Sequence, residues 1–537
     1  MSLHPLDVVV MLVYSALVVS VGWYVSRRSG STEAYFLGKR DFPGWAVGLS
    51  FIGATISSVT FIAYPADSFK TAWVRFLPNL AFPFIALLAA WVLVPFFRRG
   101  RVKSAYHYLG LRFGMPVSVY AALVYLLAQG VRMATITYLL SVLLSSLTGL
   151  GPVGCIGLAA GITALYTVKG GFEAVVWNDV LQTLVLVSGA LACVVIVVGS
   201  VPGGLGSVVS EALAAGKLSF TDLDVATGRL EPVHGGFSLL EKTIPMMILV
   251  GAAQYVTGQL DQDSVQRWSA ARSLPEARKS MWVLGFGALP IWAGFMFLGT
   301  CLWVYYQHHP DPVSAAILAG TRRAEDILPH FILTVLPPGI AGLVISGALA
   351  AAMGSLSCCI NAASMVWVND LYRPHLARGR EDRHYLRVSR GASLGFSAVM
   401  AGGAYLFHIS NAKTIMELGI IATALFGGGI SGAFLFGLLT RRGDHRAVIA
   451  GIVLTAVFTG YTAASQAGIV PRAFNPYYTA ILANLVMFVV CAIASWVMPA
   501  PLRDLRGLTF WEPDTGCDLE NSPGQTKPRA TTADRLL

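Results

Sequence analysis

Residues Trp45 to Phe69 read WAVGLSFIGATISSVTFIAYPADSF. The stretch is long and apolar enough to cross a bilayer, yet its middle carries Gly53, Thr55, Ser57, Ser58 and Thr60, a heavy hydroxyl load for hydrocarbon depth. A helix of this composition is expected to break near its centre. Carbonyls and hydroxyls would then turn inward, as the discontinuous helices of transporters do at the bilayer midplane. The alternative is a continuous helix whose small residues serve packing and whose hydroxyls bond back to their own backbone.

Composition places the rest of the chain around this stretch. With 55% hydrophobic and 12% charged residues over 537, and a mean hydropathy of +0.64, the chain is expected to be an all-α polytopic membrane protein. Thirteen apolar segments stand out: Val8–Val25, Trp45–Phe69, Trp73–Phe97, Val117–Leu147, Val153–Val168, Ala174–Val198, Thr243–Leu260, Met281–Tyr306, Gly339–Val368, Val388–Phe407, Thr414–Leu439, Ala447–Ala464 and Tyr478–Val497. Each is near the length of about 20 residues that a spanning helix needs.

The net charge of +10 would suggest nucleic acid in a soluble protein, but here it follows topology. Of the 38 lysines and arginines, 28 fall in alternate connections, the one after Val368 counted to Arg390, and the C-terminal tail, which the positive-inside rule makes cytoplasmic. An odd number of spans then puts the N-terminus outside and the C-terminus in the cytoplasm. The expected location is the cell (inner) membrane, with the lipid bilayer and no nucleic acid as partner. The seven cysteines show no metal-binding spacing and read as small buried hydrophobes, apart from Cys517 in the tail. No Walker-type motif, catalytic cluster, signalling domain or ring of repeated charge is visible, which argues against an enzyme, a sensor or a channel.

Hydropathy also suggests an internal repeat. The segment Thr243–Leu260 holds Gly251, Thr257, Gly258 and Gln259, so a second polar, small-residue helix enters from the opposite side five spans after the first. Paired interrupted helices in inverted halves point to a transporter site. The expected organisation is an extra N-terminal helix with its cytoplasmic connection (1–44), a first five-helix repeat (45–200), an outer loop (201–242), a second repeat (243–440), two C-terminal helices (441–498) and a cytoplasmic tail (499–537). The long outer segments Pro202–Leu240 and His308–Pro338 read as caps and helix connectors.

Ionisable groups inside the spans mark candidate sites. Arg132 lies about 15 residues from either end of its segment, too deep to snorkel easily. Its planar fork suits a carboxylate, from a substrate or from an internal partner, for which Glu417 is the candidate at matching depth. Asp179, in GGFEAVVWNDVLQ, could complete a cation site or cap neighbouring backbone. Opposite it, SGALAAAMGSLSCCINAAS is nearly all small residues with Ser355, Ser357 and Asn361 along it. Its hydroxyls could hold a hard cation together with carbonyls of a broken helix, or the segment could simply allow close helix packing.

Together, GLSFIGATISSVTFIAYPADSF, GGFEAVVWNDVLQ, DQDSVQR and INAASMVWVNDLY resemble the sodium:solute symporter family, and within it the bacterial sodium-coupled sialic acid transporters. The resemblance implies a LeuT-type fold of two inverted five-helix repeats and import of a small carboxylate-bearing solute with sodium. A symporter for a neutral sugar, amino acid or vitamin is the alternative. Carried over by resemblance, sodium would meet the carbonyls of Gly53, Ile56 and Ala351 and the hydroxyl of Ser355. Gly354 stands at a hydroxyl position, where serine would restore a ligand. A second cation would involve Asp179 and Ser357, but Gly354 and Cys358 remove two expected hydroxyls there. Thr55, Ser57, Thr60, Asn79 and Arg132 match substrate-binding positions, and Arg75 stands where the relatives have an aromatic residue.

Overall fold

The computed structural model describes residues 3–26, 30–98, 104–223, 230–410, 427–498 and 505–511, with 419, 421 and 423–425 between them. Among these residues the chain is nearly all helical. The exception is a short antiparallel hairpin, Thr221–Leu223 with Leu230–Pro232, in the connection between α10 (Gly204–Ala214) and α11 (Ile244–Gln259). Nine of the described helices are long and apolar enough to cross a membrane, and a further pair is bent by 60°. Glu417, and with it most of the expected span Thr414–Leu439, lies outside the described residues, as do Cys517 and most of the tail.

The bent pair is α3 (Gly44–Thr55) and α4 (Ser58–Lys70). The ladder stops because Ile56 and Ser57 are extended, at φ/ψ of −86°/100° and −94°/172°. The last amide bond of α3 runs from Ile56 to the Ile52 carbonyl, so the carbonyls beyond it have lost their helical donors. The break falls in the hydroxyl-rich centre of the stretch, as its composition predicts.

Past the short helices α5 (Phe82–Leu88), α6 (Val94–Phe97) and α7 (Ala105–Phe113), the helices α8 (Met115–Thr148), α9 (Pro152–Ser200), α13 (Leu274–His308) and α16 (Ile340–Val366) stand around this break. Of these, α16 is the axis of the bundle. From Ala341 to Val366 every residue except Leu343 is buried, because a surface of alanine, glycine and serine lets neighbouring backbones approach closely. The N-terminal helix α1 (Pro5–Ser26) packs on α9 and α16. Its buried Asp7 accepts the amides of Gly339 and Gly342 at 2.7 and 2.8 Å, capping the start of α16 with a carboxylate.

Two expected boundaries change. The segments Val153–Val168 and Ala174–Val198 form one long helix, α9, interrupted only at Gly171 (φ +59°, ψ −152°). A side chain there would lie 2.5 Å from the carbonyl of Tyr35, on the short helix α2 (Thr32–Leu37) that packs beneath it. More consequentially, the segment Thr243–Leu260 does not end its span. Helix α11 (Ile244–Gln259) is followed, after Leu260 and Asp261, by α12 (Gln262–Ala270). Gln262, Gln266, Arg267 and Trp268 of α12 are all buried. DQDSVQR is therefore no loop between spans but part of a buried helix that follows α11 after a two-residue break. Its low hydropathy hid it because its polar groups are satisfied inside the protein.

Two long connections carry short helices of their own. Helix α10 (Gly204–Ala214) leads to Lys217, whose ammonium donates to the carbonyls of Phe69, Lys70 and Thr71 at the end of α4, at 2.9, 3.3 and 2.9 Å. Burial lowers its pKa from 10.5 to about 8, leaving it protonated at neutral pH to serve that helix end. Helices α14 (Pro312–Leu318) and α15 (Ile327–Thr334) form the other long connection, between α13 and α16.

Candidate ion and substrate site

Where α3 breaks, α16 faces it through residues that lack bulk. The Ser355 hydroxyl donates to the Ala54 carbonyl at 3.0 Å and lies 3.4 Å from the Ala351 carbonyl of its own helix. One turn around, Gly354 leaves a gap. A Cβ built on it would lie 2.9 Å from the Gly53 carbonyl oxygen, 3.0 Å from Gln182 Oε1 and 3.4 Å from Asp179 Oδ1. Both side-chain oxygens are buried and accept no hydrogen bond from the described residues. Three oxygens, one of them on a carboxylate, thus converge on the place a side chain would fill.

Unpaired buried acceptors are costly, and a hard cation takes oxygen ligands of this kind. Gln182 was missed in the sequence reading, although it closes GGFEAVVWNDVLQ one helical turn after Asp179. Ser357 donates to the Gly354 carbonyl at 3.2 Å within its own helix, so its hydroxyl does not point into the gap.

Asp179 is tied on its other oxygen. Oδ2 accepts from Ser50 at 2.6 Å and lies 3.3 Å from Arg267 Nη2, and the two side chains of this ion pair are 0% and 1% exposed. Arg267 also donates to Ser50 and the Asp263 carbonyl, contacts Cys358 Sγ at 3.2 Å and lies over the Phe51 ring. The pair joins α9 to α12 beside both interruptions. A buried pair of this kind is strongly destabilised when one partner is removed.

On the other side of the break, Arg132 projects from α8 with 43% of its side chain exposed. Its carboxylate neighbour is Asp263, in the first turn of α12, with Nη1 to Oδ2 at 3.7 Å. Asp263 is a partner that the sequence reading did not name, while the candidate it did name, Glu417, lies outside the described residues. The interruption between α11 and α12 brings Asp263 there, and Tyr125 holds its Oδ1 at 3.1 Å. Asp261, the cap of α12, accepts from Tyr106 at 3.2 Å. It lines a cavity of about 630 Å³ with Tyr106, Tyr125, Gln254 and Thr257.

The remaining expected substrate positions divide. Ser57 is half-buried at the break, without a capping bond from its side chain, and Thr60 is buried one turn on. Thr55 donates to the Phe51 carbonyl at 2.7 Å, the back-bonding arrangement. Asn79 is buried, its amide donating to Tyr64 at 2.9 Å and accepting from Tyr255 at 2.6 Å. Both ends of that amide position phenols. Arg75 pairs with Asp67 and lies over the Tyr64 ring.

A profile of the sodium:solute symporter family matches residues 35–455. The chain belongs to the sodium:solute symporter family. This symporter is 30% identical over 465 residues to the sodium/sialic acid symporter SiaT of Proteus mirabilis, covering 85% of this chain and 90% of that one. It is 27% identical over 459 residues to the sodium/sialic acid symporter NanT of Aliivibrio fischeri (84% and 86% covered). With the human sodium-coupled monocarboxylate transporter 1 it shares 24% identity over 450 residues (82% and 70% covered). A solved substrate-bound, outward-open Na+-coupled sialic acid symporter, described as having a novel Na+-site, superposes with a TM-score of 0.82 at 26% identity, covering 93% of this chain and all of that one. The symporter is thus an integral membrane, sodium-coupled transporter and not an enzyme.

Proposed function

We propose that this symporter imports a carboxylate-bearing solute, sialic acid or a related sugar acid, with sodium by alternating access. The observation that carries this reading is the half-exposed guanidinium of Arg132 between two interrupted helices. Among the described residues its ion-pair partner is Asp263, at a loose 3.7 Å, and its fork matches a carboxylate. Two relatives are named for sialic acid and one for monocarboxylates.

In this reading Ser57 and Thr60 line the solute site beside Arg132, with Thr55 and Asn79 holding its walls. Sodium sits where α3 breaks against α16. Gly53, Ile56 and Ala351 offer carbonyls there and Ser355 a hydroxyl, and the Asp179 and Gln182 oxygens at Gly354 complete the set. α3–α4 and α11–α12 open two inverted five-helix repeats of a LeuT-type fold, about thirteen spans in all. They would sit in the cell (inner) membrane with the N-terminus outside and the C-terminus in the cytoplasm. Interrupted helices paired in this way are the mark of such repeats.

The test is ligand binding by wild type and Arg132→Ala, each with its ligand-free melting temperature. Arg132→Ala should cost about 2 to 5 kcal/mol of affinity for a carboxylate solute, because it leaves the anion buried and unpaired. Arg132→Lys should recover only part, since the fork is lost. Wild type that binds the amide analogue as tightly as the acid would make a neutral solute the better reading.

A further inference from the structure

We propose that Asp263 makes this symporter select solutes that carry a cationic group beside the carboxylate. The inference rests on the reading of Arg132 as the carboxylate anchor and narrows the solutes named there to sugar acids that also carry an ammonium group, N-acetylated sialic acids binding more weakly. Arg132 is not a bare cation waiting for an anion, because Asp263 already lies 3.7 Å from it. The other nearby guanidinium, Arg267, is committed to Asp179, Ser50 and Cys358.

Asp263 is also not free to leave. Tyr125 donates to its Oδ1 and Arg267 to its carbonyl, and its neighbours Gln262 and Ser264 are buried. A solute with only a carboxylate would place a second anion beside Asp263 and share one guanidinium between two carboxylates. Like charges at such separations repel strongly where water is scarce. A solute that is a carboxylate at one end and an ammonium nearby instead brings its own partner for Asp263. Two complementary pairs then form in place of one.

The charge balance of transport follows. A net-neutral zwitterion moving with sodium carries positive charge inward, whereas a monoanion with one sodium moves none.

The test uses the purified full-length protein in sodium buffer with three matched probes: glucosaminate (ammonium and carboxylate), gluconate (carboxylate alone) and glucosamine (ammonium alone). N-acetylneuraminate is added as a monoanionic sugar acid. A charge-assisted hydrogen bond corresponds to about 10- to 150-fold in affinity, so wild type should bind glucosaminate at least about tenfold more tightly than gluconate or glucosamine. Asp263→Asn should bring the glucosaminate to gluconate ratio near one, while Asp263→Glu keeps it. In proteoliposomes, glucosaminate uptake should produce an inward sodium-dependent current.

Wild type that binds gluconate or N-acetylneuraminate as tightly as glucosaminate overturns the inference while leaving the carboxylate reading standing. That comparison needs no variant to fold. If none of the carboxylates binds, the proposed function falls and the inference with it.

Discussion

Gly354→Ala is the smallest perturbation that reaches the proposed sodium site. The new methyl would lie 2.9 Å from the Gly53 carbonyl, 3.0 Å from Gln182 Oε1 and 3.4 Å from Asp179 Oδ1. The first two separations are tighter than a carbon tolerates without movement. Gln182 can rotate away, but Gly53 is backbone pressed against α9, where its own Cβ position lies 3.0 Å from the Asp179 carbonyl. The substitution therefore offers no ligand and removes one or two. Losing one buried polar partner costs about 1 to 3 kcal/mol, or about 5- to 150-fold in affinity. The sodium concentration for half-maximal uptake by proteoliposomes should rise within that range.

Gly354→Ser, which by resemblance alone would restore a hydroxyl, meets the same crowding at its Cβ. It should improve sodium affinity less than a ligand count suggests. Gly347→Ala on the same helix is the control, since its Cβ would meet α9 only at 3.4 Å or more and should leave sodium dependence unchanged. A folded Gly354→Ala protein with wild-type sodium dependence would refute the placement of the cation at this gap.

Two further outcomes are expected. Ser355→Ala removes the hydroxyl that bonds the Ala54 carbonyl and should raise the half-maximal sodium concentration by about 5- to 150-fold; uptake measured across a sodium series checks it, and an unchanged series would place the ion elsewhere. Arg267→Met strands the buried carboxylate of Asp179 and should cost about 3 to 5 kcal/mol of stability, seen as a large fall in melting temperature. Adding Asp179→Asn should recover much of that loss, and strictly additive effects in this double-mutant cycle would show that the two groups are not coupled.

The class of the protein was legible in its composition, and so was the break in Trp45–Phe69, because hydroxyls and glycine at hydrocarbon depth need a protein interior to satisfy them. Arg132 and Asp179 stood out for the same reason: an ionisable group in an apolar run is conspicuous in one dimension. Their partners were not. Asp263 and Arg267 sit in DQDSVQR, whose polarity reads locally as a connection between spans. Only the packing of α12 under the core shows Arg267 buried and Asp263 largely enclosed, paired with groups 88 and 131 positions away. The same holds for Asn79, whose amide is consumed by two tyrosines, one of them 176 residues distant. It holds too for Gly354, where the sequence registers a missing hydroxyl and the fold puts oxygens of Gly53, Asp179 and Gln182 around the gap.

Hydropathy is a local property, set by each residue's own transfer free energy, so the chain alone determined that this is a polytopic membrane protein and where one of its apolar segments must break. Which charge meets which depends on the approach of helices far apart in sequence, and the tertiary structure alone decided it.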